Sequence, residues 1–216
     1  MDIGAKNMKK NILSKNLKNI FSYQQLIEVL CHYKKPRDKI SRLLKSKEIV
    51  QVKKGLYVLG EDYRKGLVQK EILANLLWGP SYISLEYALS YYNLIPEKVE
   101  VVTNICCKRK KEYKTSFGYF IYYPLALKKY SIGITLKDIE DTSFLIASPE
   151  KALSDLIARQ TTLNNPEEVN KYLLEDLRIE KEDLQNFNLN KMKEISTIYK
   201  NKNVSLLYLC LLELKL

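Results

Sequence analysis

Residues 21–59 read FSYQQLIEVLCHYKKPRDKISRLLKSKEIVQVKKGLYVL. Ser22 is a helix-capping residue type, and Gln25 stands three positions on, the spacing of a capping box. Leu26, Ile27 and Leu30 then recur at helical spacing as an apolar stripe. Lys34-Lys35-Pro36 interrupts the stripe, and the fixed φ of Pro36 suits the first turn of a second helix. In that helix Ile40, Leu43 and Leu44 share a face that can pack on the first helix. Asp38, Ser41, Arg42 and Lys45 fall on the opposite face. Two β-prone runs, 49–52 and 56–58, flank Lys53-Lys54-Gly55, so the segment ends as a hairpin with a cationic turn. This order of helix, turn, basic helix and basic hairpin predicts a winged helix-turn-helix. Such a module sets one helix in the major groove and a wing against the phosphates.

On the N-terminal side, residues 10–20 (KNILSKNLKNI) space Ile12, Leu13, Leu17 and Ile20 for one further helix. On the other side, residues 60–66 (GEDYRKG) read as a polar linker. The expected division is therefore a DNA-binding domain over 1–66 and a second domain over 67–216. Charge follows it. Residues 1–66 hold 16 Lys and Arg against 6 Asp and Glu, and residues 67–216 hold 20 against 19. The +11 net charge of the 216-residue chain thus belongs almost wholly to the first part, which points to a nucleic-acid partner. Only 6 of the 36 basic residues are Arg. Since Arg alone offers the bidentate fork that reads guanine, Arg37 and Arg42 are the candidates for base contacts. Lys34, Lys35, Lys53 and Lys54 are candidates for phosphate contacts, and His32 is expected at the surface or against a phosphate.

The second part reads as mixed α/β. Helices are expected over 67–78, stopped by Gly79-Pro80, and over 85–92, capped by Ser84. Strands are expected over 99–105, 113–115, 119–123 and 143–147. Helices follow over 149–159, 166–175, 180–186, 190–200 and 203–214. The last is apolar on nearly every face, so it is expected to lie buried.

Several functions find no support in the residues. No apolar run approaches the roughly 18 residues of a membrane span, and residues 1–16 lack the apolar core of a signal peptide. Cys31, Cys106, Cys107 and Cys210 have no zinc-ligand spacing, and reduced thiols in the cytoplasm are the expectation. No phosphate-binding glycine loop is present. One constellation invites a catalytic reading: Glu150, Lys151 and Asp155 at a strand-to-helix junction, with Glu100, Asp138, Glu140 and Asp141 as further carboxylates for a Mg²⁺-dependent nuclease. The simpler account is a capped helix start with an i,i+4 pair between Lys151 and Asp155. No cofactor, no metal and no enzymatic activity are expected. Tyr82, Tyr87, Tyr91, Tyr92, Tyr119, Tyr122 and Tyr123 fall at helix or strand spacing and are assigned to core packing. Lys108-Arg109-Lys110-Lys111 lies in a stretch, 98–129, with 8 basic and 2 acidic residues. It is either an edge strand guarded by lysines or a second nucleic-acid patch.

Three further segments, with the one above, carry a family resemblance. They are GPSYISLEYALSYYNLIPEKVEVVT (79–103), KRKKEYKTSFGYFIYY (108–123) and FLIASPEKALSDLI (144–157). With KISRLLKSKEIVQVKKGLYVL (39–59) they make the chain resemble the AbiEi-type antitoxins of type IV toxin–antitoxin (abortive infection) systems over most of residues 20–160. The tail beyond about 160 matches none of that family's motifs. The resemblance implies an N-terminal DNA-binding domain and a C-terminal antitoxin domain; with the elements read above, the expected chain is α/β (α+β), an N-terminal winged helix-turn-helix followed by a mixed α/β antitoxin domain with a helical tail. It implies a cytoplasmic repressor that binds inverted repeats in double-stranded DNA of its own promoter, monomeric in solution and present as two copies on the operator. It also implies opposition to a nucleotidyltransferase-like toxin, without a direct complex being assumed. A stand-alone winged-helix regulator with no toxin is the alternative, and a DNA-targeted nuclease is the third.

Overall fold

The computed structural model describes residues 13–161 and 163–215. The chain is mixed α/β with two sheets. It divides into two compact units, one running to Leu77 together with Thr115–Phe117, the other comprising Trp78–Lys114 and Gly118–Leu216. The polar stretch 60–66 therefore lies inside the first unit, and the chain passes to the second one helix later than its composition suggests.

In the first unit, residues 13–16 are helical (α1). There follow β1 (Ile20–Ser22), α2 (Tyr23–Val29), α3 (Pro36–Lys45), β2 (Ile49–Lys53), β3 (Leu56–Leu59) and α4 (Lys70–Leu77). The capping box forms: Gln25 N donates to Ser22 Oγ at 3.3 Å, and Ser22 N donates to Gln25 Oε1 at 2.8 Å. Pro36 opens α3 as expected. Gly55, at φ 86°, makes the turn between β2 and β3 in a conformation that side chains resist. Residues 10–20 do not form one helix. Ile20 is in β1, which pairs antiparallel with β3 to complete a three-stranded sheet in the order β1-β3-β2; Ile12 lies outside the described residues. Phe21 and Tyr57, paired across that register, stack at 6.0 Å. Their rings join Leu26, Leu30, Ile40, Leu43 and Ile49 in one core. Three apolar residues of α2 and α3 thus fix the angle at which the opposite face of α3 meets solvent.

The second unit is built on a six-stranded sheet in the order β6-β7-β5-β4-β9-β8. Its strands are β4 (Ser81–Ile83), β5 (Val102–Cys106), β6 (Lys111–Thr115), β7 (Gly118–Pro124), β8 (Ile134–Ile139) and β9 (Thr142–Ala147). β5 pairs parallel with β7, and β4 parallel with β9. Helices α5 (Leu85–Tyr91) and α6 (Leu127–Tyr130) lie between strands, and α7 (Pro149–Ile157) follows β9. The short β4 and β8, and α6, were not expected.

The tail is α8 (Pro166–Lys171), continued by a π-helical turn to Asp176, then α9 (Lys181–Gln185), α10 (Leu189–Tyr199) and α11 (Lys202–Glu213). It is tied to α7. Asn203 Nδ2 donates to Gln160 O at 2.6 Å and to Ile157 O at 3.3 Å. Ile157 is the last residue of α7 and Gln160 lies three positions beyond it, so Asn203 fastens the tail to the chain as it leaves α7. α11 buries one side, Val204, Leu207, Cys210 and Leu211, and leaves Leu209 exposed. The expectation of a helix buried all round is corrected: its second side is at the surface. Among the described residues, no helix is long and apolar enough to cross a membrane.

Candidate nucleic-acid interface and a sealed polar cluster

In the first unit, α3 is amphipathic in the sense expected. Ile40 and Leu43 are buried, while Arg37, Asp38, Ser41, Arg42 and Lys45 are exposed. Lys34 and Lys35 are exposed in the turn before it, and so is His32. Asp38 stands in the first turn and Arg42 and Lys45 in the last, so these charges also complement the helix dipole. Ser41 Oγ donates to Arg37 O at 3.1 Å, leaving its oxygen lone pairs outward as acceptors. A groove of about 580 Å³ runs between α2 and the start of α3, lined by Tyr23, Ile27, Lys35, Pro36, Arg37 and Asp38.

The two hairpin lysines are not equivalent. Lys54 is exposed at the turn. Lys53 folds back: its Nζ donates to Leu76 O at 2.9 Å and to Leu77 O at 2.6 Å. A cation on the last carbonyls of α4 is well placed against the negative helix end, so Lys53 has a structural role that its position in the sequence did not reveal.

In the second unit, Glu150, Lys151 and Asp155 are all buried. Lys151 and Asp155 lie 3.5 Å apart with fully buried side chains. Asp155 Oδ2 accepts from Tyr82 OH at 3.0 Å and from Ser84 Oγ at 2.7 Å. Its Oδ1 accepts from Tyr199 OH, which in turn accepts from Lys151 Nζ. Lys151 Nζ also donates to Lys129 O at 2.6 Å. Burial pushes the Lys151 pKa down, against the opposing pull of Asp155. Burial, then the Asp155 charge, raise the phenol pKa values of Tyr82 and Tyr199. Gly133, at φ 71°, admits this arrangement, because a Cβ there would lie 2.8 Å from Lys151 Cβ.

The i,i+4 pair between Lys151 and Asp155 forms, and it lies in the core. One expectation is corrected here. Ser84 precedes α5 but makes no side-chain cap; its hydroxyl is spent on Asp155. Glu150 does not face Asp155's partners. It accepts from Ser148 Oγ at 2.7 Å and Asn188 N at 3.2 Å, and it pairs with Lys191 at 3.3 Å. Burial works to raise the Glu150 pKa, but these bonds outweigh it and hold the carboxyl below its usual value. Glu100 is on the surface beside Lys98 at 3.7 Å. Among the described residues, no group of three or more His, Cys, Asp or Glu side chains could hold a metal ion.

The Lys108–Lys111 stretch precedes and enters β6, the edge strand of the large sheet. Lys108 Nζ donates to Gly79 O at 2.5 Å and sits 5.1 Å from the Trp78 ring. Arg109 and Lys110 are exposed, and Lys111 is half-buried, 5.6 Å from the Tyr113 ring. Tyr82 and Tyr122 are core residues as expected. Tyr119 and Tyr123 are not: they remain half-buried, flanked by cations from Lys114, Lys110 and Arg159. The alternation of Lys and Tyr in residues 110–123 was the available signal, and Arg159 carried none.

No protein-family model and no curated protein matches the chain. Among solved structures, the chain is similar to that described as the crystal structure of the RV2827C protein from Mycobacterium tuberculosis, with a TM-score of 0.51 and 13% identity, covering 97% of this chain and 81% of that one. At that identity the likeness speaks for the fold alone.

Proposed function

We propose that the chain is a DNA-binding transcriptional autorepressor and the antitoxin of a type IV toxin–antitoxin system. The observation that carries the DNA-binding part is the exposed face of α3. Arg37, Asp38, Ser41, Arg42 and Lys45 stand clear of solvent-excluded core, with Lys34 and Lys35 before them and Lys54 on the following hairpin. In this reading α3 enters the major groove and the β2–β3 hairpin is the wing. Arg42 and Arg37 are the base-reading candidates, and Lys34, Lys35, Lys45 and Lys54 meet phosphates.

The antitoxin part rests on the family resemblance of residues 39–59, 79–103, 108–123 and 144–157. A nuclease is disfavoured, because the Lys151–Asp155 pair is sealed from any substrate and its partners are already satisfied. The reading entails a cytoplasmic location, monomers in solution and two copies on the operator.

Two measurements test it. A gel shift on DNA from upstream of the chain's own gene should show binding that Arg42→Ala weakens. Co-expression with the neighbouring gene should rescue growth if that gene encodes the nucleotidyltransferase-like toxin. Absence of any shift at low salt sinks the DNA-binding part; a shift without rescue leaves a stand-alone regulator.

A further inference from the structure

Strand alternation sorts the edge of the large sheet into two faces. On one, Phe120 and Tyr122 of β7 are buried. On the other, Tyr119, Ile121 and Tyr123 of β7 are only half-buried, beside the exposed Glu112 and Lys114 of β6. Contacts confirm that these share a face. Tyr119 OH donates to Glu112 Oε2, and Lys114 Nζ lies 5.2 Å from the Tyr119 ring. Two cations bracket the second ring: Lys110 Nζ is 5.6 Å and Arg159 Cζ 3.9 Å from the Tyr123 centroid. Arg159 is exposed and reaches the ring from just beyond the end of α7.

We infer that this face, Lys110, Glu112, Lys114, Tyr119, Tyr123 and Arg159, is a docking platform for single-stranded RNA. Each component answers to one part of that ligand. Half-buried tyrosines on a sheet, and a guanidinium already lying over one of them, are surfaces on which unpaired bases stack. Lys110, Lys114 and Arg159 supply positive charge along the same line for the phosphates. A duplex keeps its bases stacked inward and would use the cations while leaving the rings idle. Glu112 argues for RNA over single-stranded DNA. A carboxylate repels phosphate, yet it is an acceptor for a ribose 2′-hydroxyl, the group that lets a protein tell the two apart. Tyr119 OH and Lys110, 3.1 Å away, hold Glu112 in its charged form. The platform lies in the second unit and uses no residue of α3.

The test measures binding of the full chain to labelled dodecauridine, dodecathymidine and a random duplex by fluorescence anisotropy. Wild type is expected to prefer dodecauridine over dodecathymidine. Tyr119→Ala should weaken dodecauridine binding about tenfold and leave the duplex within about twofold. Lys110→Gln with Lys114→Gln should lower the log–log salt slope for dodecauridine by about 1.4. This surface double variant carries the test if Tyr119→Ala melts early. Glu112→Gln should narrow the gap between dodecauridine and dodecathymidine. Arg42→Ala should weaken binding of duplex from the chain's own promoter and keep dodecauridine binding, which separates failure here from failure of the DNA-binding reading. No binding of dodecauridine at about 50 mM salt, equal binding of the two single strands, or equal losses on single strand and duplex in the lysine variant would overturn the inference.

Discussion

Two helices of this chain start alike and end differently. α3 reads PRDKISRLLK and α7 reads PEKALSDLI. Both open with proline and both carry opposite charges four residues apart, Asp38 with Arg42 and Lys151 with Asp155. In α3 the charged residues are exposed, apart from the half-buried Lys39, and only Ile40 and Leu43 are buried. In α7 every residue from Glu150 to Ile157 is buried. The difference comes from neighbours, not from the helices' own spacing. α3 is covered on one side by α2 and the small sheet. α7 is met by α5, β9, α10 and α11, and Tyr82, Ser84 and Tyr199 arrive from 44 or more residues away to complete its polar contacts. The same charge pattern therefore stays at the surface in one unit, where we propose that it meets DNA, and serves core assembly in the other.

The largest expected effect breaks the buried pair. Asp155→Ala leaves the Lys151 ammonium without its counter-charge and strands two phenols and a hydroxyl, and removal of one member of a buried pair costs about 3–5 kcal/mol. Chemical denaturation should show the midpoint collapsing. Replacing both partners, as Lys151→Met with Asp155→Leu, should recover much of the loss, because no buried charge then remains. A loss below about 1 kcal/mol for Asp155→Ala would mean that the pair is solvated in solution, and α7 would be like α3 after all.

Next comes Arg42→Ala in the exposed helix. Operator binding should weaken about 10- to 100-fold, while the unfolding midpoint stays within experimental scatter. A fall in stability comparable to that of Asp155→Ala would erase the contrast between the two helices.

An intermediate effect concerns acid. Glu150 has its pKa held below the ordinary carboxyl value of 4.5, so the unfolded chain binds this proton at higher pH than the folded one. The stabilisation it provides is present above about pH 4.5 and disappears as pH falls through the folded-state value. Glu150→Gln should flatten the acid side of a stability-against-pH curve and cost about 1 kcal/mol at neutral pH. Urea melts of both proteins across the acid range check the sign. A steeper acid slope in the variant would contradict the assignment.

These contrasts also mark where sequence reading succeeds. The capping box at Ser22 and Gln25, the proline start of α3 and the glycine turn of the hairpin are local devices, and all three form as read. β1 and β4 are three residues each and exist through pairing with distant strands, so no local periodicity could announce them. Ser84 looked like a cap because capping is judged from the next three residues, whereas its partner is 71 residues on. The exposed face of α3 was legible because one apolar stripe fixes which side is out. The burial of Lys151 was not, because its cover comes from Tyr82, Lys129, Gly133 and Tyr199, which are distant in the sequence.

The smallest effects separate two adjacent lysines. Lys54, exposed at the hairpin turn, should act as a single phosphate contact in DNA binding. Lys54→Ala should weaken binding evenly across sequences and reduce the log–log salt slope by about one, with no change in unfolding. Lys53 spends its ammonium on Leu76 O and Leu77 O. Lys53→Ala should lower stability by about 1 kcal/mol through the lost contacts to the end of α4. Its effect on the salt slope should be smaller than that of Lys54→Ala. The pair of variants tests within one hairpin the division proposed between α3 and α7, in which a charge facing solvent is read by a ligand and a charge folded inward is read by the fold. Equal salt slopes for the two variants would show that Lys53 leaves the α4 carbonyls when DNA binds, and the division would then hold only for the free protein.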